Sequence, residues 1–179
     1  MRCFIGIFLP RGIQELLENA QKQIGREFAK VKWVLPKYIH ITLKFLGEVD
    51  EKEIGIVKEV LGGIRLRKFQ ISLDKIGWFP SDERINVIWA GFKPEKDVLN
   101  LHGDIEIKLG SLFEKDERFA VHATLGRVKY VKNKGKFLGV LKNTKVAWED
   151  FFVEGFSLVR SDLSKDGPKY SVLRTYRQE

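Results

Sequence analysis

Cysteine, histidine and proline are scarce in this chain, and it holds no long apolar run. Cys3 is the single cysteine; this excludes an intramolecular disulfide and fits a reducing compartment, so a cytoplasmic location is expected. No apolar stretch approaches the roughly 20 residues that span a bilayer. The apolar start, Arg2 to Pro10, is short, lacks a small-residue cleavage site and runs straight into an amphipathic stretch. It reads as a first strand rather than a signal peptide. Acidic residues are outnumbered: 24 Asp and Glu stand against 32 Lys and Arg, a net charge of +8. That excess suits a polyanionic partner such as nucleic acid, or simply a densely charged surface, and charge alone does not choose between them. With 44% hydrophobic and 31% charged residues, residues 1–179 have the composition of one folded domain.

Apolar spacing marks the elements. Ile13, Leu16, Leu17, Ala20, Ile24 and Phe28 recur at helical intervals over residues 11–29. Val31 to Leu35 reads as an extended connection. Residues 38–46 alternate, with Ile39, Ile41, Leu43 and Phe45 on one face and His40, Thr42 and Lys44 on the other, as in a half-buried strand. Asp50 with Glu53 forms a capping pair for a helix that ends near Gly62-Gly63. Strands are expected at 69–77 and 85–92, and a helix opens at Pro94-Glu95 with Val98, Leu101, Ile105, Leu109 and Leu112 on one stripe. A strand follows at 119–126, then a short helix around 134–142 and a long strand around 150–160. The polar loop Ser161 to Pro168 leads to a last strand, 169–176. This order lacks a regular βαβ rhythm, so the fold class is α+β with antiparallel sheet. A helix followed by a strand carrying His-x-Thr-Leu occurs twice, which suggests two related lobes.

Those two strings carry the chemistry. His40-Ile41-Thr42-Leu43 and His122-Ala123-Thr124-Leu125 use two of the 3 histidines and two of the 4 threonines. A given histidine precedes a threonine by two residues with a chance of roughly 4 in 179, so two of three doing so by accident is on the order of one in a thousand. On a strand, residues i and i+2 share a face. Two such strands could set two imidazoles and two hydroxyls around one phosphate. The hydroxyls would donate to phosphoryl oxygens, while one neutral imidazole accepts a proton from water and one imidazolium gives a proton to the departing oxygen. A metal site is the rival use of paired histidines, but no cysteine, third histidine or H-x-x-E-H pattern accompanies them. Arg127 should lie at the end of the second motif strand, where its guanidinium could hold the phosphate. Lys44 could share that task or sit in solvent. Phe45, Trp78, Phe79 and Trp89 could stack on a base, although aromatic residues in strands are usually core. His102 reads as a partly exposed helix residue.

The same residues resemble the RNA 2′,3′-cyclic phosphodiesterases, also called 2′-5′ RNA ligases, of the two-histidine phosphoesterase superfamily. The resemblance runs from Arg2–Phe8 through Trp33-Val34-Leu35-Pro36, the first motif with Lys44-Phe45-Leu46-Gly47, Gly77-Trp78-Phe79-Pro80, and the second motif with Gly126-Arg127. It closes on Phe156–Leu163, Gly167 and Tyr170. It implies a bilobal α+β fold, with two antiparallel sheets and flanking helices around a central cleft. It implies metal-independent hydrolysis of RNA 2′,3′-cyclic phosphate ends to 2′-phosphates, with reversible ATP-independent 2′-5′ ligation in some members. His40 would be the proton donor, His122 the proton acceptor, and Thr42, Thr124 and Arg127 would bind phosphate, with no cofactor or metal. The expected partner is RNA with a cyclic end, acted on by a monomer without a protein partner. A non-catalytic RNA-end binding module, or a phosphodiesterase for a small cyclic phosphate such as ADP-ribose cyclic phosphate, remain as alternatives.

Overall fold

The computed structural model describes residues 1–165 and 167–178. Its nine strands are β1 (Arg2–Phe8), β2 (Ala29–Trp33), β3 (His40–Glu48), β4 (Phe69–Pro80), β5 (Ile85–Lys93), β6 (His122–Val131), β7 (Glu149–Val153), β8 (Gly155–Ser164) and β9 (Gly167–Arg177). Four helices accompany them: α1 (Arg11–Ile24), α2 (Glu51–Gly62), α3 (Lys96–Leu109) and α4 (Lys134–Asn143). Among the described residues, no helix is long and apolar enough to cross a membrane. The helices form where their capping and apolar spacing require. Ile13, Leu17, Ala20 and Ile24 bury one stripe of α1, and Gly25, at φ +65°, lets the chain turn away. The Asp50 side chain accepts from the Glu53 amide while the Glu53 carboxylate accepts from the Asp50 amide, completing the capping box of α2.

Every strand pairing is antiparallel, in the order β7-β4-β5-β6-β3-β1-β8-β9, with β2 alongside β6. The two expected sheets therefore form one path, but a narrow one at its middle: β3 and β6 pair only through Ile41 and Ala123. On one side lie β3, β1, β8 and β9, with α2 and α3 packed on them; on the other lie β6, β5, β4, β7 and β2, with α1 and α4. The core is a single cluster that includes Ile5, Ile41, Leu43, Ile88, Ala123 and Leu125.

Several expectations change in detail. Val31–Leu35 is not merely a connector, since Ala29–Trp33 pairs with β6 before a single 3-10 turn at Pro36–Tyr38. The long strand around 150–160 is two strands. Glu154 separates β7 from β8, and these lie near opposite ends of the strand order. The sheet must curl for its ends to meet there, and the Gln178 amide and Lys68 side chain both bond Glu154. Of the loop expected at Ser161 to Pro168, Ser161–Ser164 belongs to β8 and Gly167 and Pro168 to β9, while Asp166 lies outside the described residues.

Lys44 and His102 are both relocated. The β1–β3 register skips a residue between Thr42 and Lys44, since Gly6 pairs with Thr42 and Ile5 with Lys44. This bulge breaks the alternation: Lys44 turns into the interior and Phe45 turns out. Lys44 Nζ lies 2.6 Å from Glu106 Oε1 of α3 and also donates to the Glu114 carbonyl. His102, one turn earlier on α3, is buried rather than partly exposed and stacks flat on Phe119 at 3.8 Å. With side chains only 3% and 8% exposed, the Lys44–Glu106 pair cannot lose one partner without stranding the other charge. Lys44→Ala should lower unfolding free energy in denaturant by about 3–5 kcal/mol, and Lys44→Met with Glu106→Leu should recover more than half of that.

Candidate active site

The Ile41–Ala123 pair decides where the motif side chains go. Both residues are fully buried, so their neighbours at i−1 and i+1 point to the opposite face. Extending the antiparallel register by one residue each way sets His40 across from Thr124 and Thr42 across from His122. The two H-x-T strings thus bracket one space, and the four residues read from the sequence are brought together.

Each motif ends in a bulge at its leucine. In β3 the extra residue is Leu43; in β6 it is Leu125, because Trp89 pairs with Thr124 and Ile88 with Gly126. A bulge takes its extra residue out of the regular ladder, and in both strands a helix side chain bonds that leucine's carbonyl. His102 Nδ1 donates to Leu43 O at 2.8 Å from α3, and Gln21 Nε2 donates to Leu125 O at 3.0 Å from α1. Gln21 also bonds the Val34 carbonyl, and the Val34 amide bonds Leu125 O. The leucine of each motif is therefore a fixed corner as well as a core residue.

The histidines are oriented alike and housed differently. Each ring donates Nδ1–H to the carbonyl two residues before it: His40 to Tyr38 at 2.7 Å and His122 to Ala120 at 2.8 Å. With Nδ1 so engaged, Nε2 is left to work at the site. His40 sits in an aromatic sleeve: Phe4 stacks on it at 4.6 Å, Phe8 lies at 5.5 Å, and Tyr170 meets it edge-on at 5.5 Å. Its Nε2 is 3.0 Å from Thr42 Oγ1, which donates while the ring is neutral. Burial holds the His40 pKa below 6.5, only partly offset by the Tyr38 carbonyl, and a charged His122 lowers it further. His122 instead stands against the edge of Phe79 at 5.3 Å, beside Trp89 at 6.4 Å. Trp89 in turn lies over Gly77, where its ring leaves no room for a Cβ. A recess of about 250 Å³ opens here, lined in part by Lys75, Phe79, Trp89, Phe119 and His122.

Arg127 is exposed, paired across the ladder with Val87 on one side and Lys32 on the other. Its charge acts on Tyr170: burial raises the Tyr170 phenol above its usual 10, and the charges of Arg127 and Arg2 oppose that rise. Past the bulge at Leu125, Gly126 is buried and Arg127 returns to the face of β6 that carries Thr124. Of the aromatic candidates, Phe45 is 64% exposed and flanks Phe4, while Phe79 and Trp89 line the His122 side. Trp78 is not part of the site, because its indole bonds Asp82 in the β4–β5 turn. Among the described residues, no three His, Cys, Asp or Glu side chains converge closely enough to hold a metal ion.

Comparison with known proteins fits this geometry. The family model described as LigT-like phosphoesterase matches residues 7–89. A relative from Methanocaldococcus jannaschii, named RNA 2′,3′-cyclic phosphodiesterase, is 34% identical over 179 residues, covering 98% of this chain and 100% of the relative. The chain belongs to the LigT-like phosphoesterase family. A similarly named relative from Archaeoglobus fulgidus is 34% identical over 98% of this chain and 99% of its own. The crystal structure of TT0787 of Thermus thermophilus superposes with a TM-score of 0.80 at 31% identity, covering 99% of this chain and 97% of that one.

The sleeve of this LigT-like phosphoesterase escaped the motif reading. Phe4, Gly6 and Phe8 share one face of β1, and all three meet His40; a Cβ on Gly6 would lie 3.1 Å from His40 Cδ2 and 3.0 Å from the Ile41 carbonyl oxygen. The Phe-x-Gly-x-Phe spacing was the available signal. The sleeve makes a measurable prediction. In a pH titration of histidine ring protons by NMR, His40 should titrate below 6.5 in the free protein, because its charged form is desolvated. Saturating inorganic phosphate should move that midpoint upward by favouring the imidazolium. A midpoint that phosphate does not move would place the anion elsewhere.

Proposed function

We propose that this protein hydrolyses the 2′,3′-cyclic phosphate at the end of an RNA strand to a 2′-phosphate, using His40 and His122. The observation that carries the reading is the single Ile41–Ala123 pair, flanked by two histidines and two threonines on one face. The family membership and the names of its full-length relatives support the substrate class.

The steps follow from the atoms. The cyclic phosphate enters as an anion, and its charge raises the His40 pKa, so that Nε2 gains a proton while Nδ1–H stays on the Tyr38 carbonyl. Thr42, no longer needed by Nε2, turns its hydroxyl to a phosphoryl oxygen, and Thr124 does the same from β6. Water attacks phosphorus as His122 Nε2 takes its proton, and the P–O3′ bond breaks as His40 Nε2–H protonates the leaving oxygen. Burial suits His40 to the donor role, because an imidazolium with a lowered pKa is the stronger acid. Arg127 adds positive charge at the rim for the phosphoryl oxygens. With an RNA 5′-hydroxyl replacing water, the same steps make a 2′-5′ bond without ATP, and run backwards equally well. Phe45 offers an exposed ring to a base near His40. We place the activity in the cytoplasm, in keeping with the lone buried thiol of Cys3.

Product analysis of a cyclic-ended oligonucleotide is the test. The expected product carries a 2′-phosphate, forms equally with EDTA, and shows a bell-shaped pH dependence. His40→Ala and His122→Ala should each cut kcat by about 10²–10⁴-fold, while Arg127→Ala should lose less. Full turnover by either histidine variant would overturn the mechanism, and tight binding without product would favour a non-catalytic end-binding module.

A further inference from the structure

The proposed chemistry sets a terminal phosphate between the motifs, and a cyclic phosphate sits at the 3′ end of a strand, so everything 5′ of it must leave the cleft. A broad groove of about 1360 Å³ lies along the flank formed by α1, β2 and β6. Its charged lining is lopsided. Lys22, Arg26, Lys30, Lys32, Lys129 and Lys132 border it with Glu18 as the lone carboxylate, a local excess of five in a chain whose net excess is eight. Glu18 is already engaged by Lys22 at 3.3 Å. Among the described residues, Arg26, Lys30, Lys32, Lys129 and Lys132 make no ion pair.

The β2–β6 ladder links the groove to the site. Arg127 pairs across the ladder with Lys32, and Lys30 with Tyr130. Lys30 and Lys32 share the exposed face of β2, so these pairs form successive steps away from the phosphate, about 7 Å apart. Lys32 reaches across the rim, its Nζ 3.8 Å from where a Cβ on Gly167 would lie, at the start of the strand that carries Tyr170. Tyr130 is 55% exposed, laying an aromatic face among the cations. Lysines on the free edge of β2 would by themselves be explained as a guard against edge-to-edge pairing. That role does not account for the cations contributed by α1 and β6, nor for the open tyrosine ring. Cations tracking a path with an aromatic platform are what a single-stranded nucleic acid requires.

We propose that this groove binds the sugar-phosphate backbone of the RNA strand 5′ of the cyclic end, with Tyr130 supporting a base, so that the enzyme is built for RNA strands rather than for cyclic mononucleotides. This rests on the proposed cyclic-phosphate chemistry. It is tested with two substrates, a 2′,3′-cyclic mononucleotide and a cyclic-ended single-stranded RNA of roughly twelve nucleotides. The variants are Lys30→Glu/Lys129→Glu/Lys132→Glu and, separately, Tyr130→Ala, all at exposed side chains outside the proposed catalytic set. On the oligonucleotide, the triple variant should lose about tenfold or more in kcat/KM, mostly through KM, and its dependence on salt should flatten; Tyr130→Ala should lose severalfold. On the mononucleotide both should match the parent protein. Equal losses on both substrates, unchanged oligonucleotide kinetics, or a parent protein no better on the strand than on the mononucleotide would each overturn the inference while leaving the chemistry standing. A parent protein that turns over neither substrate would overturn the chemistry itself, and the inference with it.

Discussion

One cross-strand pair holds the molecule's two halves in register. Ile41 and Ala123 are the point where β3 meets β6, and each is small or slender enough to be fully enclosed by the core. Because side chains alternate along a strand, burying that pair obliges both histidines and both threonines to face the other way. A longer ladder between β3 and β6 would have flattened this region into an ordinary sheet. A single pair instead lets the two halves diverge on either side of it, and the divergence opens the space that the two motifs face.

The bulges at Leu43 and Leu125 turn this point into a corner. They stop the two strands from pairing further, and the helices behind them secure the result through His102 and Gln21. The two halves solve the same problem with different residues on different helices. The symmetry stops at the histidines. His40 is enclosed by Phe4, Phe8 and Tyr170, whereas His122 borders a recess. Two like rings with like backbone bonds are thereby given different surroundings, and burial lowers the proton affinity of His40.

How much of this could be read from the chain depended on whether the information was local. Strict alternation around His40 and His122 placed four side chains on shared faces, and the capping pair at Asp50 and Glu53 marked the start of α2, because both patterns repeat within a few residues. The burial of Lys44 was not legible, since one extra residue in a bulge reverses the alternation, and the reversal is set by pairing with β1. His102 read as a partly exposed helix residue because its partners, Leu43 and Phe119, lie outside its helix. The split of residues 149–164 at Glu154 was equally hidden: two apolar strands in tandem look like one long strand until the sheet is seen to curl. The groove residues were visible only as scattered lysines, since the pairing of β2 with β6 aligns them.

The strand order has a further consequence, for folding. The half containing β3 takes its strands from the first 48 residues and from Gly155 onward, with β1, β8 and β9 joining it, while the other half takes its strands from the stretches between. Neither half is a contiguous segment that could form first and wait. Pairings such as β1 with β8 close most of the chain into a loop, so contact order is high and assembly should be slow and concerted. The two histidines thus come into alignment only as folding nears completion, and a partly folded chain would carry no working pair.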